Sequence, residues 1–402
     1  MGRGRIAVLA AICTVSALFW AGPGQTAGSS GAVRGLDAFS LSMLASLGPW
    51  PPPKETDGSN PFSGKAAAIR LGERLFSAPG LSGSGRVSCA SCHQPLRHFS
   101  DGLPLSPMAS EPRRNTPSVV DASFNRWFGW GGSSDSLWAA SLQPFLDNNE
   151  MGPERRVPDH FRESPGLWAD YLRVLGERPV AGDDTALLVD IAKLLAAFQE
   201  TLVSPRTPFD AFRDAVVLHG DARTAPLYPM AAVRGFQLFA GKAKCIVCHS
   251  GPGFTNNEFD KVGISVRTPS GSMDWGRYSG AKSMLASRFN ALRLHATGAS
   301  TQRIDLTRHA SASVDTQGAF RVPGLRGISK TAPYMHNGSL ASLQEVLKHY
   351  STLDGIGMAL ASPHSHDDLD IQARPAAATF FSTPLNLTPQ EISDLVAFLK
   401  TL

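Results

Sequence analysis

Hydrophobic positions along this chain recur at helical spacing in two matched pairs of segments. Lys65 to Phe76 and Ala231 to Ala240 each read as a helix, and each carries the same word, Gly72-Glu73-Arg74-Leu75-Phe76 and Gly235-Phe236-Gln237-Leu238-Phe239. Thr185 to Leu202 sets Leu188, Ile191, Leu195 and Phe198 on one face, and Thr388 to Leu399 does so with Ile392, Leu395, Val396 and Leu399. Thr388 and Glu391 form a capping box, with Pro389 at the first helical position. Each half therefore opens and closes on a helix, and Ser204-Pro205-Arg206-Thr207-Pro208 breaks helix between them. The expected class is mainly α, with long loops and little sheet.

A different pattern opens the chain. Arg3 and Arg5 precede an apolar run from Ile6 to about Ala21, and a small polar segment follows. That is the order of a secretory signal peptide, 1–27, cleaved between 21 and 27. The run is short for a bilayer span and no later stretch is long and apolar enough, so no membrane span is expected in the mature chain. The two domains are then 28–204 and 205–402. Losing Arg3 and Arg5 takes Lys+Arg from 38 to 36 against 34 Asp+Glu, a near-neutral balance that gives no support to a nucleic-acid partner.

Of five cysteines, Cys13 lies in the apolar run and four make two words, Cys89-Ala90-Ser91-Cys92-His93 and Cys245-Ile246-Val247-Cys248-His249. In such a word two thiols add to haem vinyl groups and the histidine, His93 or His249, becomes the proximal iron ligand. No cysteine is left over for a disulfide framework, and no further pair completes a tetrahedral zinc site. Two covalent haem c groups are expected, each inside a cytochrome c-like core.

The other axial position separates a carrier from an enzyme, because an open face binds peroxide. After the second haem word, Ser342 and Glu345 cap a helix with Leu343, Val346, Leu347 and Tyr350 at i, i+3, i+4 and i+7. That spacing places Tyr350 on the buried face and His349 off it. Met335 and His336 are rival ligands by residue type, and spacing does not choose.

Several words resemble the bacterial di-haem cytochrome c peroxidase/MauG family across the whole mature chain. They are the Gly-x-x-Leu-Phe word before each haem site, Asn115-Thr116-Pro117-Ser118-Val119, Trp130-Gly131-Gly132, Asn149-Glu150-Met151-Gly152, Phe320 to Arg326 and Thr331 to Ser339. The resemblance implies a peroxide-reactive N-terminal haem and a six-coordinate C-terminal haem that holds or relays electrons. The C-terminal axial ligand lies at the end of the helix after the Pro-Tyr-x-His word. It is Met in the peroxidases and Tyr in the MauG branch, and here that position is Tyr350.

By the same resemblance Glu150 is the distal acid that handles the peroxide proton. Pro144 is a distal-pocket proline, and Trp130 is the tryptophan between the haems. Asn115, Thr331 and the carbonyl of Pro333 match a calcium site between the domains, all oxygen donors as a hard cation requires. The family's distal glutamine position falls on Ala140. Resting peroxidases often hold a distal histidine between the first haem word and Asn115. Pro95 to Arg114 contains only His98, too near the attachment site to match, so an open first haem is expected.

The resulting expectation is a periplasmic oxidase in which hydrogen peroxide makes high-valent haem. Trp130 shares the oxidising equivalents, and an exported partner protein is oxidised at Trp or Tyr. One rival is a peroxidase fed by a small cytochrome c, and another is a non-enzymatic electron carrier. Arg267 to Val314 exceeds what a minimal cytochrome domain needs. Its Asp274-Trp275-Gly276-Arg277 and Ser287-Arg288-Phe289-Asn290 words resemble a MauG-like branch, found in copper-acquisition gene clusters, that oxidises a tryptophan on a small exported partner. His364-Ser365-His366-Asp367-Asp368 reads as a solvated loop rather than a metal site.

Overall fold

The computed structural model describes residues 35–54, 56–108, 110, 113–152, 156–220, 228–352 and 384–402. The expected signal peptide and the His364 to Asp368 cluster lie outside the described residues. The described chain is mainly α: α1 (Ala38–Ser46), α2 (Ala66–Phe76), α3 (Cys89–Cys92), α4 (Leu137–Leu146), α5 (Arg156–Glu163), α6 (Pro165–Leu175), α7 (Asp184–Gln199), α8 (Pro208–His219), α9 (Met230–Ala240), α10 (Arg277–Ala286), α11 (Thr301–Arg308), α12 (Leu343–Thr352) and α13 (Pro389–Leu399). The described sheet is one antiparallel pair, β1 (Phe259–Asp260) and β2 (Phe320–Arg321), with Phe259 opposite Arg321. No described helix is long and apolar enough to cross a membrane.

The repeated word earns its glycine by packing. A Cβ at Gly72 would lie 2.1 Å from the Leu194 carbonyl oxygen and 2.9 Å from Phe198 Cβ, so α2 crosses α7 at backbone contact. Gly235 repeats the arrangement between α9 and α13, at 2.0 Å from the Asp394 carbonyl oxygen and 2.8 Å from Phe398 Cβ. Only a residue without a side chain admits such an approach. Around the first crossing, Leu71, Leu75, Trp138, Leu142 and Phe161 form one core. Around the second, Phe209, Phe236, Phe239, Phe254 and Phe398 meet at tilted or edge-on angles, their centroids 5.1 to 6.2 Å apart.

Two segments cross into the other half's core. Leu36, Leu44 and Leu47, on and around α1, pack with the second core, whereas Phe289 and Ala296 pack with the first. Fully buried Asp135 holds the latter segment, accepting from the Ala291 N–H and the Thr307 hydroxyl at 2.7 Å each. Much of the stretch from Arg267 to Val314 is thus a strap across the first core. The halves also meet at Trp50, whose indole donates to the Ser204 carbonyl of its own half at 2.9 Å. Arg326 lies 3.9 Å over the Trp50 ring and pairs with Asp210 at 2.9 and 2.8 Å.

Candidate functional site

The two Cys-x-x-Cys-His words fold into equivalent stations. α3 begins at a Ser88/Ser91 capping box and ends at His93, while Cys245 to Val247 form a single 3₁₀ turn before His249. His93 Nδ1 lies 3.2 Å from the Phe99 carbonyl, and His249 Nδ1 lies 3.0 Å from the Phe254 carbonyl. A carbonyl only accepts, so each Nδ1 carries the proton and each Nε2 presents a lone pair. Phe99 and Phe254 reach this position with φ of 57° and 54°. The Pro117 and Pro323 carbonyls approach the same two rings, a second echo between the halves. All four thiols are free, and burial pushes Cys89 and Cys245 up to about 12. Half-buried thiols and oriented imidazoles of this kind fit a covalently held haem at each station.

Beside the first station stands Glu150. Its charge reaches both Cys89 and Cys92. Burial, and then the neighbouring Asp147 carboxylate, pushes Glu150 up to about 7. Burial works to raise Asp147 too, but hydrogen bonds from Ser110 and from the backbones of Asn149 and Glu150 outweigh it and keep Asp147 below its usual range. The Ser110 hydroxyl donates to Asp147 at 2.6 Å. The loop is fixed by the Gly83 N–H, which donates to the Met151 carbonyl at 2.6 Å. Pro144 lies inside α4 and has no N–H, so the Ala140 carbonyl lacks its usual helical donor. His98 packs against Gly327, where a Cβ would lie 2.3 Å from its Nε2, a buried atom with no hydrogen-bond partner.

The second station opens on a cavity of about 610 Å³ lined by Cys245, Cys248, His249 and Tyr350, within the usual range of roughly 300–1,000 Å³ for ligand sites. Tyr350 is raised well above an ordinary phenol by burial, with charge at Cys245, Cys248 and Asp260 adding to it. His349 turns to the Val262 carbonyl at 2.6 Å. Met335 and His336 also line the cavity. His336 is stacked on Phe320 at 3.6 Å, and burial pushes it down to about 4. The charges acting on His336 are Asp274 and Arg114, away from the thiols.

Trp130, Asn115, Thr331 and Pro333 line this same cavity. The Trp130 indole donates to the Asn115 carbonyl at 2.8 Å, and the Trp130 carbonyl accepts from the Arg321 N–H at 2.8 Å. The Asn115 side chain donates to the Leu103 carbonyl at 2.8 Å, leaving Oδ1 for a cation. Among the described residues no group of three or more His, Cys, Asp and Glu gathers as a metal site, so calcium here would rest on neutral oxygens.

Residues 66–216 match the family model for di-haem cytochrome c peroxidase, and residues 319–353 match a RoxA-like, cytochrome c-like model. The methylamine utilization protein MauG of Methylorubrum extorquens is 32% identical over 351 residues, 86% of this chain and 80% of that protein. The chain belongs to the di-haem cytochrome c peroxidase/MauG family. The cytochrome-c peroxidase IdrP1 of Denitromonas iodatirespirans is 30% identical over 89% of this chain and 86% of its own. A solved MauG-like protein associated with microbial copper homeostasis superposes with a TM-score of 0.63 at 27% identity, covering 89% of this chain and 94% of that one. Membership makes this chain a peroxide-dependent oxidoreductase with two haem c groups.

Sequence reasoning did not find the Phe99 and Phe254 carbonyls, the Ser110 to Asp147 bonds, or Arg277. That arginine is clamped between Trp127 and Phe259, at 4.5 and 4.2 Å, and donates to the Gly132 carbonyl at 3.0 Å. The signal for Arg277 was present in the Asp274-Trp275-Gly276-Arg277 word. A backbone carbonyl leaves no signal of that kind.

Proposed function

We propose that this chain is exported to the periplasm and works as a MauG-type oxidase of a partner protein. The observation that carries the reading is Tyr350, whose phenol shares one cavity with Cys245, Cys248 and His249. An anionic oxygen ligand favours oxidised iron over reduced iron. Domain 28–204 holds one haem through Cys89, Cys92 and His93. Domain 205–402 holds the other through Cys245, Cys248, His249 and Tyr350. The haems, when bound, supply the redox chemistry: reduction of peroxide at the first and storage of oxidising equivalents across both.

The residues do the rest. Ionised Glu150 takes the proton from the inner peroxide oxygen and returns it to the outer one, which leaves as water. Pro144 walls the same pocket without a donor, and Ala140 supplies no side-chain hydrogen bond. With His98 packed against Gly327, a haem held by His93 would be left free to take peroxide. Trp130 relays electrons between the stations, and calcium held by Asn115, Thr331 and the Pro333 carbonyl fixes their spacing. Electrons come from a Trp or Tyr of an exported protein docked at the surface. The likeness to the MauG-like protein of copper homeostasis supports a partner from copper handling.

Peroxide added to the diferric protein without reductant tests this reading. A long-lived oxidised state with near-infrared absorption is the expected result, and immediate return to the ferric spectrum would defeat it. Likeness to IdrP1 favours a second reading, a peroxidase fed by a small cytochrome c. Rapid peroxide-dependent oxidation of reduced cytochrome c would select it.

A further inference from the structure

Among the described residues, Arg321 is a buried cation without a counter-charge. Its guanidinium belongs to a residue only 8% exposed, and Nη1 donates to Asn125 Oδ1 at 3.2 Å. Its Nε is buried with no hydrogen-bond partner. Other buried arginines are better served. Arg326 places both terminal nitrogens on Asp210 and its Nε on the Pro252 carbonyl at 2.6 Å. Arg213 pairs with Asp214 at 2.5 Å, and Arg277 lies between two aromatic faces. Burial alone acts on the charge of Arg321, with no described carboxylate opposing it. A desolvated, unpaired guanidinium is strongly disfavoured, so the site is built for an anion.

The surroundings restrict which anion. Arg321 lines the cavity that also holds Cys245, Cys248, His249 and Tyr350. A haem tethered by thioethers at Cys245 and Cys248 carries two propionate carboxylates on the edge away from its vinyl-derived links. Planar guanidinium matches a carboxylate better than an ammonium does. We propose that Arg321 is the counter-cation of a propionate on the haem carried by Cys245 and Cys248, with Asn125 orienting it. The inference rests on the haem attachment given under the proposed function, and it adds a tuning role. Positive charge at Arg321 favours the reduced haem and so opposes the pull of Tyr350 toward ferric iron. The N–H of Arg321 holds the Trp130 carbonyl, so the potential of the second haem and the placement of the relay tryptophan share one residue.

The test is a redox titration of both haems in the full di-haem protein, comparing wild type, R321Q and R321K. The haem count is checked in each by the pyridine haemochrome spectrum. R321Q should move the reduction equilibrium of the second haem about tenfold toward ferric, near 59 mV for one electron. R321K should recover most of that change, and the first haem should stay in place. Should R321Q not accumulate, N125A keeps the charge and loses its partner, and a two- to threefold shift in the same direction is expected. A second-haem equilibrium unmoved in R321Q, or in N125A where that variant stands in, overturns the proposal, as does a shift confined to the first haem. An unchanged spectrum in Y350F would remove Tyr350 as ligand and leave this result standing, because the titration reads charge rather than ligation.

Discussion

The indole N–H of Trp130 is bonded to the main-chain carbonyl of Asn115 at 2.8 Å, so the ring lining the cavity of the second station is fastened to a residue proposed to hold calcium. Removing the cation should therefore loosen the relay as well as the domain contact. Chelation should slow peroxide-driven oxidation roughly ten- to hundredfold, the cost of small misplacements, and added calcium should restore the rate. Stopped-flow decay of the oxidised state after chelator treatment measures this. An unaltered decay would separate Trp130 from the cation.

Glu150 gives the pH dependence. Its pKa is raised to about 7, so it is protonated below that pH and becomes a base above it. The rate of the first peroxide step should rise with pH through about 7. E150Q should lose this limb and fall roughly 100- to 10,000-fold, as expected for removal of a general acid/base. The stability dependence runs the other way. The folded state binds this proton more tightly than the unfolded chain, so the contribution of Glu150 to stability declines as pH rises from 4.5 through about 7. Thermal melts of wild type and E150Q across that window report the difference.

Tyr350 predicts the spectrum of the second haem. Y350F should convert its low-spin ferric signal to high-spin and raise its reduction potential, because an anionic oxygen ligand is lost. Electron paramagnetic resonance of the ferric variant decides the point. A persistent low-spin signal with methionine character would transfer the ligand to Met335.

The paired glycines predict matched failures. G72A and G235A each force a methyl group against a carbonyl oxygen, at 2.1 and 2.0 Å before any shift. Each should cost about 1–3 kcal/mol, the usual range for overpacking. Because the cores differ, G72A should broaden the first-haem spectrum and G235A the second. Denaturant melts followed at the two haem signals would separate them.

What was legible in the sequence was whatever repeats locally. The two haem words and the capping boxes at Ser342 and Thr388 sit within a few residues of their partners; the glycines stood out as a repeated word, but their crossing partners, Leu194 and Asp394, lie far along the chain. The inward placement of Tyr350 was legible because its helix carries a clear apolar stripe, but its choice over Met335 and His336, which line the same cavity, came from the resemblance and not from spacing. The carbonyls of Phe99 and Phe254 were not, since a positive φ on phenylalanine contradicts its local preference and is imposed by packing. Nor was Asp135, an acid whose burial depends on the N–H of Ala291 and the hydroxyl of Thr307, far along the chain. The strap from Arg267 to Val314 stayed opaque for that reason.

The seating of Leu36, Leu44 and Leu47 in the second core orders the molecule's assembly in time. A chain released amino end first offers α1 long before Phe236 or Phe398 has emerged. The first core in turn lacks Phe289 and Ala296 until the strap has followed, so neither core is complete without residues of the other half. The second core gathers the first and last described segments, α1 and α13, so the two halves are completed as one object rather than in turn.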